Sequence, residues 1–114
     1  MDKTNLIKGS LEMCVLSILQ KGKSYGYEIM KELERFNLEL KGEGSIYPIL
    51  TKLKDKQLVH VTRELTDQGR ARVYYEINEA GQQYLQRKIE EWMTVQRDIQ
   101  TLLNEFGHQM EGRS

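Results

Sequence analysis

Short polar, aromatic and cationic side chains gather in the segment GEGSIYPILTKL, which covers residues 42–53. Helical spacing puts the apolar residues of this segment on one face, namely Ile46, Ile49, Leu50 and Leu53. The rest of the helix then carries Ser45, Tyr47, Thr51 and Lys52. Groups of these types contact phosphates and base edges when a helix enters the major groove of DNA. An ordinary solvated helix face carries the same residue types, so this face alone leaves both interpretations open.

Arginine side chains flank a predicted turn further along the chain. The turn signal is TDQG at residues 66–69, between two segments rich in β-branched and aromatic residues, and this pattern predicts a β-hairpin. Arg70 and Arg72 follow the turn, and Arg63 precedes it. At the tip of a hairpin beside a recognition helix, arginines would neutralise phosphates and make DNA binding depend on salt. The alternative is that charges on an edge strand prevent aggregation.

Few residues have the types and spacing that catalysis or metal binding requires. The two histidines, His60 and His108, have no metal-ligand spacing to the single cysteine, Cys14. The serines have no evident base partner, and the glycines form no phosphate-binding loop. Cys14 lies in an apolar run, so we expect it to be a small buried hydrophobic residue. We therefore predict no catalytic residues, no metal site, no cofactor and no enzyme.

The charge of the chain is balanced overall but unevenly distributed. The 114 residues include 17 basic and 17 acidic side chains, and a net charge of zero is weak evidence against nucleic-acid binding. Residues 41–75, however, carry seven basic and four acidic side chains, a net charge of +3. Residues 79–114 carry four basic and six acidic side chains, a net charge of −2. A neutral protein can therefore present one positive face to a polyanion.

The sequence contains no segment with the pattern of a signal peptide or a membrane-spanning helix. The stretch MDKTNLIKGS lacks the apolar region of a signal peptide. The longest apolar run is far shorter than the roughly 20 residues that a membrane-spanning helix needs. We therefore expect a cytoplasmic protein with no membrane partner.

Three short helices, each preceded by a serine, are predicted to position these residues. Serine is a favoured helix cap, and the predicted pairs are Ser10 with residues 11–21, Ser24 with 25–36 and Ser45 with 46–56. Pro48, the only proline, then falls in the first turn of the third helix. Its missing N–H is one of the donors that remain unpaired at a helix start, so the proline is tolerated there.

A hairpin and one long helix complete the predicted order of elements. Asn78 is expected to cap this last helix, which extends to about Phe106. The fold class is therefore mainly α with a small β-hairpin, an order typical of a winged helix-turn-helix. The predicted domains are a DNA-binding domain over residues 1–78 and a dimerisation helix with a frayed tail over residues 79–114.

Large side chains recur along the last helix at alternating intervals of four and three residues, which is a heptad seam. The seam consists of Leu85, Ile89, Trp92, Gln96, Ile99, Leu103 and Phe106. A chain this short has too little other surface to bury the whole helix, so we expect a homodimer. The alternative is a helix folded back on its own domain. Trp92 either only packs in the interface or lies opposite its copy and sandwiches a planar aromatic small molecule.

Four segments together resemble the PadR family of bacterial transcriptional regulators: LIKGSLEMCVLSIL, YGYEIMKEL, GEGSIYPILTKLKDKQLV and GRARVYYEINEAG. They span roughly residues 6–85 and occur in the family's order. The resemblance implies a winged helix-turn-helix, a C-terminal dimerisation helix and usually repression of a nearby promoter. The single C-terminal helix is similar to the short subfamily. In some of its members an aromatic residue on this helix helps form a ligand pore at the dimer interface, and Trp92 lies where such a residue would fall. Val73 stands where the wing usually has a basic residue, which leaves the wing contacts open.

Together these features predict a homodimeric, sequence-specific repressor that binds double-stranded DNA at an operator with two half-sites. The expected DNA contacts are Ser24, Tyr25, Ser45, Tyr47, Thr51, Lys52, Arg70 and Arg72. An effector between the subunits would release the DNA if it bound the two states of the dimer unequally. Two alternatives stay open: a protein-interaction module that uses the winged fold without DNA, and a sensor whose main activity is binding a small molecule.

Overall fold

The computed structural model describes residues 7–108, so residues 1–6 and the predicted tail beyond residue 108 lie outside the described part. The helices are α1 (Leu11–Leu19), α2 (Gly26–Arg35), α3 (Ile46–Asp55) and α4 (Glu79–Glu105), and the strands are β1 (Ser24–Tyr25), β2 (Val59–Leu65) and β3 (Ala71–Ile77). Single 3-10 turns precede α1 at Lys8–Ser10 and α3 at Glu43–Ser45. The predicted order and the mainly α, winged helix-turn-helix fold class are confirmed. No described helix is long and apolar enough to cross a membrane.

A three-stranded antiparallel sheet is present in place of the two-stranded hairpin that the sequence predicts. β2 and β3 pair over the full length of both strands. β1 adds two residues to the other side of β3, with Ser24 opposite Tyr75 and Tyr25 opposite Tyr74. A two-residue strand is too short for an alternating pattern to show, so β1 has no recognisable signal in the sequence.

The hydrophobic core joins the three short helices, the sheet and the beginning of α4. Its buried residues are Val15, Leu16, Leu19, Ile29, Leu33, Ile46, Leu50, Leu53, Leu58, Val59 and Leu85. α1 contributes three of them, as expected for a central helix, whereas α2 and α3 each bury one face. Because one face of α3 is locked into the core, its polar residues must point outward.

Ser10 and Ser45 stand at the predicted N-cap positions of α1 and α3, but their side chains make no capping hydrogen bond, and the N-cap of α2 is Tyr25 in place of the predicted Ser24. Ser10 closes the first 3-10 turn by donating its hydroxyl to the carbonyl three residues earlier, at 2.9 Å. Ser24 lies in β1, and α2 begins two residues later. Ser45 ends the second 3-10 turn and donates its hydroxyl to the carbonyl of Lys41. All four helices end one or two residues before their predicted ends, which is the usual spread of helix ends.

The start of α4 is held by Asn78 and by a close approach at Gly81. Asn78 Oδ1 accepts the backbone N–H of Gly81 at 2.8 Å, which confirms the predicted cap. Asn78 Nδ2 donates to the carbonyl of Gln57 at 3.0 Å and so ties α4 to the end of α3. A Cβ atom at Gly81 would lie 2.2 Å from the carbonyl oxygen of Leu58, so the contact requires a residue without a side chain.

α4 packs on the winged domain only along its first turns. Leu85 is 2% exposed in the core, and Ile89 packs at the edge of the core. The helix does not fold back on the domain beyond this point, because Trp92 and Ile99 are 46% and 53% exposed and Phe106 is 73% exposed. The prediction that Leu85 belongs to a dimer seam is therefore wrong, since the first turns of α4 bury it within its own domain.

Candidate nucleic-acid interface

The outer face of α3 carries three of the residues predicted to meet DNA. Ile46, Leu50 and Leu53 are completely buried. Their burial fixes the rotation of α3 about its own axis. Tyr47, Thr51 and Lys52 are exposed, and Tyr47 keeps 53% of its accessible surface. A phenol, a hydroxyl and an ammonium group, which differ in hydrogen-bonding capacity, therefore lie on one accessible surface.

The ring of Tyr47 lies against the backbone of α2. A Cβ atom placed on Gly26 would be 3.1 Å from both Cε1 and Oη of Tyr47, which is closer than ordinary van der Waals contact. The ring therefore occupies the space that a side chain on α2 would need. This contact orients Tyr47 at the junction of α2 and α3 while leaving half of its surface in solvent.

Ser45, in the turn before α3, and Pro48, in the first turn of α3, both shape the start of the helix. Pro48 is the third residue of α3, as predicted, where its missing N–H leaves no intrahelical hydrogen bond unmade. The hydroxyl of Ser45 donates to the carbonyl of Lys41, so only its acceptor capacity remains. A phosphate needs a donor, and we therefore assign Ser45 to the turn.

A compact turn presents Arg70 at the tip of the wing. The N–H of Thr66 donates to the carbonyl of Arg70 at 2.8 Å, and the N–H of Arg70 donates to Thr66 Oγ1 at 3.1 Å. Gly69 has φ +78°, a conformation that favours glycine. The side chain of Arg70 is exposed and makes no ion pair with any residue in the described part of the chain.

Arg72, the second residue of β3, is held against an aromatic pair close to the tip of the wing. Its guanidinium carbon lies 4.3 Å from the ring centroid of Tyr25. The rings of Tyr25 and Tyr74 meet edge to face at 5.5 Å, and Lys23 Nζ lies 5.2 Å from the centroid of Tyr74. Lys23 also pairs with Glu64, and this hydrogen bond raises the pKa of the Lys23 ammonium. β1 therefore connects the cations of the wing to the start of α2.

Ser24 is buried, although the sequence predicts that it contacts a phosphate. It is only 5% exposed because pairing opposite Tyr75 covers it within the sheet. Tyr25, predicted as the first residue of the second helix, instead stands at the N-cap of α2 in an extended conformation, and it is half-buried beneath Arg72. We retain Tyr25 in the candidate interface and omit Ser24.

One carboxylate from α1 binds two lysines at the end of α3. Glu12 Oε1 accepts hydrogen bonds from Lys56 Nζ at 2.9 Å and from the hydroxyl of Tyr84 at 2.8 Å. Lys52 Nζ lies 4.0 Å from Glu12 Oε2. Burial raises the pKa of the Glu12 carboxyl, but the hydrogen bonds from Lys56 and Tyr84 and the charges of Lys56 and Lys52 outweigh it and hold this pKa below its usual value. The bonds to Glu12 and Tyr84 in turn raise the pKa of Lys56.

An apolar groove of about 570 Å³ opens between α1, the end of α2 and the first part of α4. Residues that line it include Met13, Cys14, Ile18, Phe36, Ile89 and Trp92. Cys14 is half-buried rather than fully buried as expected, and burial raises the pKa of its thiol, offset in part by a hydrogen bond with Ser10. Among residues 7–108, no group of histidine, cysteine or carboxylate side chains could hold a metal ion.

The match to known proteins covers most of the winged domain. Residues 15–87, more than half of the chain, match the transcriptional regulator PadR-like family. The chain belongs to this family. This PadR-like protein is therefore a transcriptional regulator and not an enzyme. The match confirms the resemblance carried by the four sequence segments.

Several relatives share most of their length with this PadR-like chain. A PadR-like transcriptional regulator from Bacillus cereus is 32% identical, with 87% of this chain and 96% of that chain covered and a TM-score of 0.74. A PadR family transcription regulator from Clostridium difficile is 31% identical, with 85% and 97% covered and a TM-score of 0.66. An uncharacterized protein of Lysinibacillus sphaericus is 29% identical over 102 residues, with 87% and 93% covered.

The fold is also similar to that of Bacillus subtilis PadR, whose structure was solved in complex with operator DNA. The two chains are 23% identical, with a TM-score of 0.63, and the match covers 69% of this chain and 46% of the Bacillus subtilis chain. At this identity the likeness concerns the fold alone.

Proposed function

We propose that this PadR-like regulator is a homodimeric repressor that binds double-stranded DNA at operators with two half-sites. The observation that carries the proposal is the outer face of α3, where Tyr47, Thr51 and Lys52 are exposed while the opposite face is locked in the core. In a major groove these side chains would meet base edges and phosphates. Such a role places the protein with the chromosome, in the bacterial cytoplasm.

The wing supplies the sequence-independent part of the proposed binding. Arg70 at the tip and Arg72 close behind it would neutralise phosphates beside the groove, and each such contact releases counterions. Tyr25 stands before the N-terminus of α2, where backbone N–H groups and the helix dipole favour a phosphate. Bacillus subtilis PadR, which has a similar fold, was solved in complex with operator DNA, and this supports DNA as the ligand.

The proposed dimer interface lies on the exposed part of α4. Its residues are the seam without Leu85, namely Ile89, Trp92, Gln96, Ile99, Leu103 and Phe106, and the exposed Val95 and Leu102 widen the same stripe. Removing each large apolar side chain from water contributes roughly 1.5–3 kcal/mol, so a monomer would forgo much of this stabilisation. A symmetric pair would relate two copies of α3 by a two-fold axis, which matches two half-sites.

The apolar groove supports a small-molecule effector as part of the same function. Trp92 is half-exposed and lines the groove, so a planar aromatic molecule could stack on its indole ring. Such a ligand would release DNA only if it bound the DNA-free state of the dimer more tightly. A sensor without DNA function is the competing proposal, and it predicts that a ligand quenches Trp92 fluorescence while no duplex binds.

The proposal is tested by letting the purified protein select fragments of genomic DNA, which are then sequenced. We expect the selected fragments to share two half-sites related by two-fold symmetry and separated by about one helical turn, roughly 10 base pairs. A selected pool at low salt that is no different from the starting pool would contradict the proposal. A protein-interaction module without DNA function predicts that outcome.

A further inference from the structure

Three helices of the winged domain meet in one polar cluster formed by Glu12, Lys56 and Tyr84, called here the Glu12 cluster. Each member bonds to the other two. Lys56 Nζ donates to Glu12 Oε1 at 2.9 Å and to Tyr84 Oη at 3.1 Å, and the hydroxyl of Tyr84 donates to Glu12 Oε1 at 2.8 Å. Glu12 belongs to α1, Lys56 is the C-cap of α3 and Tyr84 lies in the second turn of α4. The cluster therefore links the helix that carries the candidate DNA face to the helix that carries the exposed apolar stripe.

The cluster is the second of two polar ties between the end of α3 and the beginning of α4. The first tie is made by Asn78, the residue before α4, whose Nδ2 donates to the carbonyl of Gln57 at 3.0 Å and whose backbone N–H donates to the carbonyl of Leu58 at 3.2 Å. Tyr84 lies six residues further on, about 9 Å along the helix axis. One tie would leave α4 free to pivot about its start, whereas two separated ties define its angle to α3.

Directional bonds are needed at this joint because the apolar contacts beneath it are not directional. Leu85, next to Tyr84, packs in the core with Leu53 and Leu58, and such burial tolerates small rotations. A hydrogen bond to a charged group depends strongly on distance and angle. The cluster also extends toward the candidate DNA face, because Lys52 Nζ lies 4.0 Å from Glu12 Oε2.

We propose that Glu12, Lys56 and Tyr84 are positioning residues that hold α3 at a set angle to α4 and thereby set the spacing of half-sites that the dimer prefers. This inference rests on the proposed function, since it requires a dimer that binds DNA through α3. None of the three residues needs to touch DNA for this role. Loosening the cluster broadens the range of separations between the two copies of α3.

Two variants change the cluster with little loss of volume. Tyr84→Phe keeps the ring, over which Lys56, Lys88 and Arg87 lie at 5.1, 5.4 and 5.6 Å, and removes only the hydroxyl. Glu12→Gln keeps the shape of the side chain and removes its charge. Tyr27→Phe is the matched control, because it removes a hydroxyl from an exposed ring on α2.

The experiment measures affinity for synthetic duplexes that carry the half-sites selected by the wild-type protein. One duplex keeps the selected spacing, and two others have one base pair inserted or removed between the half-sites. We expect Tyr84→Phe to weaken binding at the selected spacing by about threefold to tenfold and to weaken it less at the altered spacings, so that the preference ratio falls. Glu12→Gln should act in the same direction, and Tyr27→Phe should reproduce the wild-type ratio.

The ratio between spacings does not depend on the fraction of folded protein, since all duplexes are titrated with one preparation. A Tyr84→Phe ratio equal to that of the wild type would overturn the inference, and so would an equal loss at every spacing. Those outcomes leave the proposed function standing, because the wild type would still bind its selected duplex. A wild type that binds no duplex would overturn the proposed function and the inference together.

Discussion

Arg70 and Arg72 carry charge on the wing in two different ways. Arg70 is exposed at the turn and has no ion pair in the described part of the chain, so it is free to meet a phosphate. Arg72 is already oriented, because its guanidinium lies on the ring of Tyr25. A guanidinium whose orientation is already fixed loses less conformational freedom on forming hydrogen bonds than a mobile one does. Under the proposed function, Arg70 contributes mainly charge and Arg72 contributes both charge and position.

Replacing Arg70 should therefore weaken DNA binding without changing which sequence is preferred. For Arg70→Gln we expect lower affinity for selected and scrambled duplexes alike, and a salt slope smaller by about one. Fluorescence anisotropy titrations over a series of salt concentrations measure both quantities. Arg97→Gln, which removes the same charge from an exposed position on α4, should leave the slope unchanged. An unaltered slope for Arg70→Gln would exclude this arginine from the interface.

Glu12 makes the stability of the winged domain depend on pH. Its pKa in the folded protein lies below the usual value of 4.5, so the ionised form stabilises the folded state above that value. This stabilisation disappears as the pH falls through the lowered pKa. We expect the free energy of unfolding, measured with urea, to be higher for the wild type than for Glu12→Gln at pH 7. This difference between the two proteins should be smaller at about pH 3. Glu105→Gln is the control for losing one exposed carboxylate, and an equal wild-type advantage at both pH values would contradict the assignment.

Among the elements, α4 depends most on one position without a side chain. Gly81→Ala would place a Cβ atom 2.2 Å from the carbonyl oxygen of Leu58, so either α4 or the backbone at Leu58 must shift. We expect this substitution to lower the free energy of unfolding by about 1–3 kcal/mol. Urea unfolding measures the change, and Gly9→Ala, where a Cβ atom would meet nothing within 4 Å, is the matched control. Equal stability of the two variants would show that the close approach carries no cost.

Regular elements were predictable because each has a repeated pattern or a distinct boundary. The apolar spacing of α3 correctly predicts which face is buried, and therefore that Tyr47, Thr51 and Lys52 are exposed. Asn78 correctly predicts the start of α4, because its Oδ1 accepts the backbone N–H of Gly81 while its Nδ2 bonds to Gln57. The serines make no capping bonds because 3-10 turns and a two-residue strand, which are too short to show a period, precede the helices.

The contacts between elements were not predictable from local pattern. Glu12 and Tyr84 are 72 positions apart in the chain, and each separately resembles a solvated surface residue. Gly26 has no local signal either, since its role depends on the ring of Tyr47 in the next helix. Leu85 fits the heptad spacing of a dimer seam, yet the fold places it in the core. Periodicity identifies an apolar face but does not identify what covers it.

At the scale of the whole molecule, the long helix leaves an apolar stripe that no other part of residues 7–108 covers. The domain with α4 extends over 58 Å, and the last part of α4 exposes Ile99, Leu102 and Phe106. Isolated exposed leucines are common on protein surfaces, but a continuous stripe marks an interaction surface. Under the proposed function this surface pairs with a second copy and sets the symmetry of DNA binding.

Placing a charge in this stripe should separate the subunits. We expect Ile99→Asp to sediment as a monomer at concentrations where the wild type is a dimer, because a carboxylate would be buried without a partner. Thr101→Asp adds the same charge on the opposite side of α4 and should remain dimeric. A dimeric Ile99→Asp variant would place the interface elsewhere.

The most direct test of the whole account is the affinity of a Thr51→Glu variant for the selected duplex. Thr51 is exposed at the centre of the candidate DNA face, so a glutamate there should leave the fold and the dimer intact while repelling phosphates. We expect the wild type to prefer its selected duplex over a scrambled one by about a thousandfold or more, and Thr51→Glu to lose that preference. A folded, dimeric Thr51→Glu variant that binds the selected duplex as tightly as the wild type would contradict the assignment of α3 as the recognition helix.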